Sequence, residues 1–254
     1  MKKETLFIAI GNQKGGVGKS AITTLLSSYL YFNMDKNILV IDSDFPQHSI
    51  YNMRLDDRKT VEETLELQIA LAKQFDIYGK KAYPVVKAAS EKALDEAYSI
   101  TGASDAQIDA VLFDLPGTVN NAGIINLILN MDYIFIPITA DKRVLQSSLA
   151  FILTIREYMK ALDGKINLKQ AYMFWNKVDK REHTELYANF NKIMKAEKIN
   201  LLKTQIPDTK RYNKELSAAR PSVFRSTLFP PERRLLINSN LDKLAEEICS
   251  ITNL

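Results

Sequence analysis

A short glycine-rich stretch near the start of the chain constrains its fold more than any other feature. Residues 14–20 read Lys-Gly-Gly-Val-Gly-Lys-Ser. An apolar run at residues 5–10 precedes the stretch, and a helical pattern begins at Ala21. A strand, a glycine-rich loop and a helix in this order are typical of a phosphate-binding loop. The pattern therefore predicts an α/β domain with an anion site at the start of its first helix.

The residue types in this loop suit a nucleoside triphosphate. Glycines allow consecutive backbone N–H groups to converge on an anion, and the following helix adds the positive end of its dipole. Lys19 would neutralise the β- and γ-phosphates, and the Ser20 hydroxyl would bind Mg²⁺. Gln13 stands where the usual motif has a glycine, so the loop is a deviant form. The predicted nucleotide-binding residues of the loop are Lys14, Gly15, Gly16, Val17, Gly18, Lys19, Ser20 and Ala21.

Recurring apolar runs predict a parallel sheet that is covered by helices on both faces. Runs at 38–41, 110–113, 133–136, 171–175 and 201–206 alternate with helical patterns, as in α/β folds. We predict a three-layer α/β/α fold of the P-loop NTPase class, with a mostly parallel twisted sheet. The 254 residues suffice for one large domain. Residues 57–108 are predicted to be a helical insert of unknown role, with a short strand or bend at 84–86.

Two of the predicted strands end in acidic residues, at the edge where an open α/β sheet binds its ligand. Residues 42–47 read Asp-Ser-Asp-Phe-Pro-Gln, and Asp114 closes the strand at 110–113 as a Walker B aspartate does. Taken alone, each carboxylate is as consistent with a helix cap or a solvated turn residue as with a ligand-binding group. The glycine-rich loop favours a site for a metal ion and phosphates.

Together these motifs resemble those of the ParA/MinD group of deviant Walker ATPases, and above all the short ParA-type partition ATPases. The family loop matches residues 14–20, the family switch matches 42–47, and the Walker B aspartate matches Asp114. A weaker match is Ile-Pro-Asp at 206–208, where the family has a loop that packs on adenine. Phe45 makes the switch one residue longer than in most members, a form that resembles ParA-like proteins of conjugative transposons.

The resemblance implies a role for individual side chains. Lys19 would hold the β- and γ-phosphates, Ser20 would ligate Mg²⁺ directly, and Asp114 would reach the ion through water. Asp44 would orient or activate the attacking water. Lys14 would cross an ATP-dependent dimer to the partner's nucleotide, as a charge supplied in trans.

The identity of the base stays open in the sequence. Residues 176–179 read Asn-Lys-Val-Asp, which is the motif by which small GTPases recognise guanine through hydrogen bonds to the aspartate. In the ParA/MinD group an asparagine near this position contacts adenine instead. We predict ATP with Mg²⁺, with Asn176, Pro207 and Asp208 at the base, and we keep GTP as the alternative.

Basic residues are concentrated in one segment. The net charge is +4, but residues 200–234 carry eight Lys and Arg against three acidic residues. Such a cluster suits contact with DNA phosphates without sequence preference, and a solvated surface without a partner is the alternative. We predict that ATP closes a homodimer and aligns two such surfaces on DNA, through Lys210, Arg211, Lys214, Arg220 and Arg225.

Composition argues against several other classes of protein. No apolar run is long enough to cross a bilayer, and the helical pattern at 241–251 has an acidic polar face, which disfavours binding to an anionic membrane. The single cysteine, Cys249, leaves no internal disulfide or cysteine cluster within one chain. We expect a cytoplasmic protein that associates with the nucleoid when ATP is bound.

The sequence thus predicts a slow ATPase that dimerises on ATP and partitions a plasmid, a chromosome or a mobile element. A ParB-like or other activating protein would be its partner. The alternative is a nucleotide-gated regulator of conjugative transfer that has no role in segregation.

Overall fold

The computed structural model describes residues 4–104, 106–117, 122–162, 164–179, 185–219 and 222–254. Its strands form one parallel sheet in the order β3-β2-β4-β1-β5-β6-β7, which confirms the predicted fold class. The strands are β1 (Leu6–Ile10), β2 (Ile38–Asp42), β3 (Val85–Lys87), β4 (Ala110–Asp114), β5 (Tyr133–Ile138), β6 (Gln170–Trp175) and β7 (Asn200–Leu201).

Helices cover both faces of the sheet. Successive residues of a strand point to opposite faces, and in β1 Phe7 and Ala9 join one apolar cluster while Ile8 and Ile10 join the other. The helices are α1 (Lys19–Phe32), α2 (Ser49–Glu62), α3 (Leu65–Tyr78), α4 (Ala93–Ala103), α5 (Ala122–Leu129), α6 (Lys142–Ala161), α7 (Glu185–Ala196), α8 (Arg233–Leu236) and α9 (Leu241–Thr252). In the described parts of the chain, no helix is long and apolar enough to cross a membrane.

One segment differs from the sequence expectation and a second agrees with it. The run at 201–206 was expected to be a strand, but β7 ends at Leu201 because the backbone N–H groups of Lys203 and Thr204 donate to the Glu247 carboxylate in α9 instead, at 2.7 and 2.9 Å. Residues 57–108 are largely helical as predicted, and the short strand or bend expected at 84–86 is β3, the strand at one edge of the sheet. This segment is therefore part of the main architecture.

The last helix packs on the core, as its apolar spacing indicated. Leu241, Leu244, Ala245 and Ile248 of α9 are fully buried, and three of them join the apolar cluster that also holds Leu26 of α1.

The order of the sheet places the site. β1 has β4 on one side and β5 on the other, and its chain continues into the glycine-rich loop. Ligands of open α/β sheets bind at the carboxyl ends of strands at such a reversal. At this end Asp114 is in register with Ile10 of β1 and with Asp42 of β2.

Candidate nucleotide-binding site

The glycine-rich loop joins β1 to α1 and depends on two of its glycines. Gly16 and Gly18 have φ angles of +77° and +91°, a region that residues with a side chain rarely adopt. A Cβ atom on Gly18 would also stand 2.6 Å from Nδ2 of Asn176. Lys19, the first residue of α1, is buried, and its ammonium group lies 3.5 Å from the position that a Cβ on Gly117 would take. The loop thus brings the amino end of α1 and one lysine to the sheet edge.

Two side chains before the loop fasten it to β5 and α6. Asn12 donates through Nδ2 to the Pro137 carbonyl at 2.8 Å and to Oγ of Ser148 at 2.7 Å. Gln13 donates through Nε2 to the carbonyl and the hydroxyl of Ser147, at 2.8 and 2.6 Å. The residue that makes the loop a deviant form therefore anchors it.

The first of the three carboxylates at the ends of β2 and β4 is structural. Asp42 is fully buried and accepts hydrogen bonds from the backbone N–H groups of Ile50 and Tyr51, at 2.8 and 3.0 Å. These are orphan donors in the first turn of α2, so Asp42 caps this helix.

Asp44 is half-buried and borders the cavity of the site. Burial raises the pKa of the Asp44 carboxyl, and the positive charge of Lys19 opposes this rise. The negative charge of Asp42 adds to the rise, whereas His48 and a hydrogen bond from the backbone of Gly117 lower the pKa. Asp44 therefore lies within electrostatic reach of the lysine predicted to hold phosphates.

Asp114 has the features of a group that serves a cation. It is fully buried; burial raises its pKa to about 8, while a hydrogen bond from Ser20 and the charge of Lys19 lower it. Oδ1 also accepts from the Thr23 hydroxyl at 3.4 Å, whereas Oδ2 has no hydrogen-bond partner among the described residues. A buried carboxylate with an unpaired oxygen beside a serine hydroxyl fits a hydrated Mg²⁺ that takes its other ligands from phosphates.

A cavity of about 460 Å³ lies over the loop, within the range of small-molecule sites. Val17 and Asp114 are buried and Lys14 is exposed, and none of the three lines the cavity. The predicted residues that line the cavity are Gly15, Gly16, Gly18, Lys19, Ser20, Ala21, Asp44, Asn176, Pro207 and Asp208.

Asn176 and Lys177 brace the glycine-rich loop from the end of β6. Nδ2 of Asn176 donates to the Val17 carbonyl at 2.7 Å, and Nζ of Lys177 donates to the Gly16 carbonyl at 2.8 Å. The sequence analysis predicted that Asn176 contacts the base of the nucleotide. Its amide contacts the loop, and a contact with a base stays a prediction.

Other residues that line the cavity were not assigned to the nucleotide site from the sequence. Gly117 carried a usable signal, because it follows the Walker B aspartate by three residues in Asp-Leu-Pro-Gly. The fold brings the remaining ones together from several parts of the chain: Ile22, Gln47, Ser49, Lys177, Thr209, Tyr212, Asn213 and Arg225.

The residues predicted to bind DNA have different environments. Lys210 and Lys214 are exposed. Arg211 donates to the carbonyls of Leu235 and Ile237. Arg225 forms an ion pair with Glu215 and borders the cavity. Arg220 lies outside the described residues.

The chain belongs to the family of the CobQ/CobB/MinD/ParA nucleotide-binding domain, whose model matches residues 8–222. This match confirms the resemblance to the ParA/MinD group that the motifs indicated. No curated protein sequence matches the chain.

Several solved structures share the fold. A putative plasmid partition protein from Borrelia burgdorferi bound to AMPPNP is 18% identical, with a TM-score of 0.60 and 98% of each chain covered. A McdA variant from Cyanothece in complex with ATP is 16% identical, with a TM-score of 0.62 over 99% of this chain and 98% of the other. Cobyrinic acid a,c-diamide synthase from Mycobacterium smegmatis with ADP and magnesium is 19% identical, with a TM-score of 0.57 over 82% and 88%.

Proposed function

We propose that this chain is a ParA-type ATPase that binds ATP with Mg²⁺ and hydrolyses it slowly. The nucleotide would drive dimerisation, DNA binding without sequence preference, and partitioning of a DNA cargo with a ParB-like or other activating protein. The observation that carries this proposal is the different placement of the two lysines of the loop. Lys19 lies in the cavity beside the buried Asp114, whereas Lys14 is exposed and outside it.

The side chains of the cavity suit phosphoryl transfer. Ser20 and Asp114 would hold Mg²⁺, which when bound would neutralise part of the phosphate charge. Lys19 would place its ammonium group on the β- and γ-phosphates. Asp44 would accept a hydrogen bond from the attacking water, and because burial raises its pKa, its carboxylate is a stronger proton acceptor than an exposed one.

The exposed Lys14 suits a contact in trans. Gly15 and Gly16 have open space at the positions that a Cβ would take, so the surface of a second protomer can approach the loop closely. Lys14 of each protomer would then reach the nucleotide of the other, which is the charge in trans that phosphoryl transfer uses elsewhere. ATP and AMPPNP complexes of proteins with the same fold support the choice of ATP.

Light scattering with a non-hydrolysable ATP analogue tests the proposal. Wild type should be a monomer without nucleotide and a dimer with the analogue. Lys14→Ala should bind the analogue and stay monomeric, whereas Lys19→Ala should lose binding itself. Lys160→Ala, at an exposed position of α6, is the matched control and should behave as wild type. A wild type that stays monomeric with the analogue bound would contradict the proposal.

GTP is the alternative nucleotide, because residues 176–179 read Asn-Lys-Val-Asp, the motif by which small GTPases recognise guanine. Affinities for ATP and GTP should be measured for wild type and Asp179→Ala. We expect ATP to bind more tightly in both proteins, and loss of GTP binding with unchanged ATP binding in the variant would replace ATP by GTP.

The role in the cell is tested by deletion. Loss or mislocalisation of the DNA cargo is expected for a partition protein. Normal inheritance with altered conjugative transfer would favour the regulatory alternative.

A further inference from the structure

Arg225 stands between two cavities at the first turn of α1. It borders the nucleotide cavity, and it also borders a second cavity of about 400 Å³. Ser20 and Ala21 line both cavities as well. A cation with a side chain that is 17% exposed thus lies beside the turn whose N–H groups are predicted to bind phosphates.

The guanidinium group of Arg225 has hydrogen-bonding capacity that the described protein groups do not use. One terminal nitrogen donates to Oε1 of Glu215. Nε is buried and has no acceptor among the described residues. An unpaired buried donor on a charged group is costly, and an anionic ligand in the adjoining cavity would supply the acceptor.

The backbone around Arg225 is held in place from both sides. The N–H groups of Phe224 and Arg225 both donate to the Lys214 carbonyl at 2.9 Å. The next two residues are bound by Asp57 of α2, which accepts from the Ser226 hydroxyl at 3.0 Å and from the Thr227 N–H at 2.7 Å. Arg225 therefore starts from a fixed position, which lowers the entropic cost of a contact with a ligand.

The position along the cavity indicates which part of a nucleotide Arg225 would meet. Lys19 and Asp44 mark the end for the terminal phosphates, and Asn176 and Pro207 mark the end for the base. Arg225 lines the same cavity, and it also shares the second cavity with Ser20 and Ala21, which directly follow Lys19 in the loop. A cation beside these two residues is expected to meet the α-phosphate, which ATP and ADP have in common.

We propose that Arg225 is a nucleotide-binding residue that contacts the α-phosphate. Arginine suits this contact because its planar fork of donors matches phosphate oxygens. Glu215 holds one donor before the nucleotide arrives and competes with the phosphate for the charge. The assignment rests on the proposed nucleotide function. It differs from the sequence prediction, in which Arg225 contacts DNA.

The test is the affinity for ATP and for ADP, each with Mg²⁺ and without DNA, by isothermal titration calorimetry. Arg225→Gln should weaken both nucleotides by the same factor, about tenfold or more for one charge-assisted hydrogen-bonded contact. Arg225→Lys should recover part of the loss, because it restores the charge without the fork. Lys203→Gln, an exposed change of the same charge in the same segment, should leave both affinities unchanged.

Glu215→Gln separates a ligand contact from a merely structural ion pair. It breaks the pair but keeps Arg225, so nucleotide affinity should equal or exceed that of wild type. An equal loss in Glu215→Gln and Arg225→Gln would show that the pair only maintains the segment and would overturn the proposal. A loss confined to ATP would also overturn it, because it would place Arg225 at the γ-phosphate.

Two further measurements distinguish the loss of a contact with Arg225 from a loss of folding and from a failure of the proposed function. Thermal unfolding without nucleotide shows whether Arg225→Gln is folded, and if it is not, Arg225→Lys carries the comparison. Failure of wild type to bind either nucleotide would refute the proposed function itself. Binding that depends on Lys19 but not on Arg225 would refute the inference about Arg225 and leave the proposed function intact.

Discussion

The protonation of Asp114 couples the stability of the fold to pH and to metal binding. It is fully buried at the end of β4, and burial raises its pKa to about 8. The ionised form is therefore disfavoured in the metal-free protein, whereas a divalent cation beside Ser20 would favour it. The protonation state of the Asp114 carboxyl therefore depends on whether a cation lies beside it.

We predict that the free energy of unfolding of the metal-free protein falls as the pH rises from about 4 to about 8. The folded state keeps the Asp114 proton up to about pH 8, while the unfolded chain loses it near the ordinary value of 3.8. Rising pH in this window thus favours the unfolded state. Asp114→Asn cannot ionise and should show a flatter pH dependence. Urea unfolding with a chelator on both sides of neutrality measures this, and identical pH profiles for the two proteins would contradict the prediction.

A second prediction at the residue scale concerns Gly18. Gly18→Ala would force a side chain into a left-handed conformation and within 2.6 Å of Nδ2 of Asn176. We expect the free energy of unfolding to fall by about 2 kcal/mol or more, and nucleotide affinity to fall with it because the brace on the loop is displaced. Urea denaturation and titration with ATP check the two effects.

Gly15→Ala is the matched control in the same loop. No atom lies within 4 Å of its Cβ position, and its φ is outside the left-handed region. Its unfolding midpoint should stay near that of wild type. If both alanine variants lose stability equally, the contact with Asn176 does not explain the requirement for glycine at Gly18.

At the scale of elements, α2 joins the switch loop to the segment that holds Arg225. Asp42 caps its first turn. Near its end, Asp57 accepts hydrogen bonds from Ser226 and from the N–H and hydroxyl of Thr227, at 3.0, 2.7 and 2.8 Å. Arg54 donates to the carbonyl of Thr227 at 2.8 Å. These buried contacts make α2 and residues 226–227 one unit.

We predict that Asp57→Ala lowers the free energy of unfolding by roughly 3 kcal/mol, because it leaves the donors of Ser226 and Thr227 without their acceptor and removes the negative charge near the buried Arg54. Asp56→Ala removes the same group from an exposed neighbour and should change stability by less than about 0.5 kcal/mol. Chemical denaturation measures both. Similar values for the two variants would show that the buried network contributes little.

Local patterns in the sequence predicted most of the elements but not their distant contacts. β1, β2, β4, β5 and β6 were predictable because parallel strands that are buried on both faces read as apolar runs. The prediction of a strand at 201–206 was wrong because Glu247 in α9 accepts the N–H groups of Lys203 and Thr204. The same limit applies to the site: the loop motif is local, whereas the contact of Gln13 with Ser147 joins residues far apart in sequence. A single sequence does not show such pairs.

At the scale of the whole molecule, charge distribution matters more than net charge. Lys210 and Lys214 are exposed in the basic segment, close in sequence to Tyr212 and Asn213 of the cavity wall. We predict that the double variant Lys210→Gln/Lys214→Gln binds duplex DNA more weakly with ATP present. Its dependence on salt should also be shallower, by about 0.9 in the slope of log K against log salt for each DNA phosphate that the variant no longer neutralises.

The matched control removes the same charge from another surface. Lys160 and Lys195 are exposed on α6 and α7, and their double replacement by Gln should leave the salt slope unchanged. Electrophoretic mobility shifts over a series of salt concentrations compare the proteins. Equal slopes for both double variants would mean that the basic segment is a solvated surface and that DNA, if bound, lies elsewhere.

The contacts of α9 with residues 203–205 bear on two properties of the molecule. Glu247 fixes the backbone at Lys203 and Thr204, and Asn240 donates to the carbonyl of Gln205 at 2.8 Å, just ahead of the wall expected to face the base. The residues predicted to hold the triphosphate lie near the beginning of the chain, whereas the segment predicted to face the base is supported by α9. We therefore expect changes in α9 to alter nucleotide preference without altering the phosphate loop.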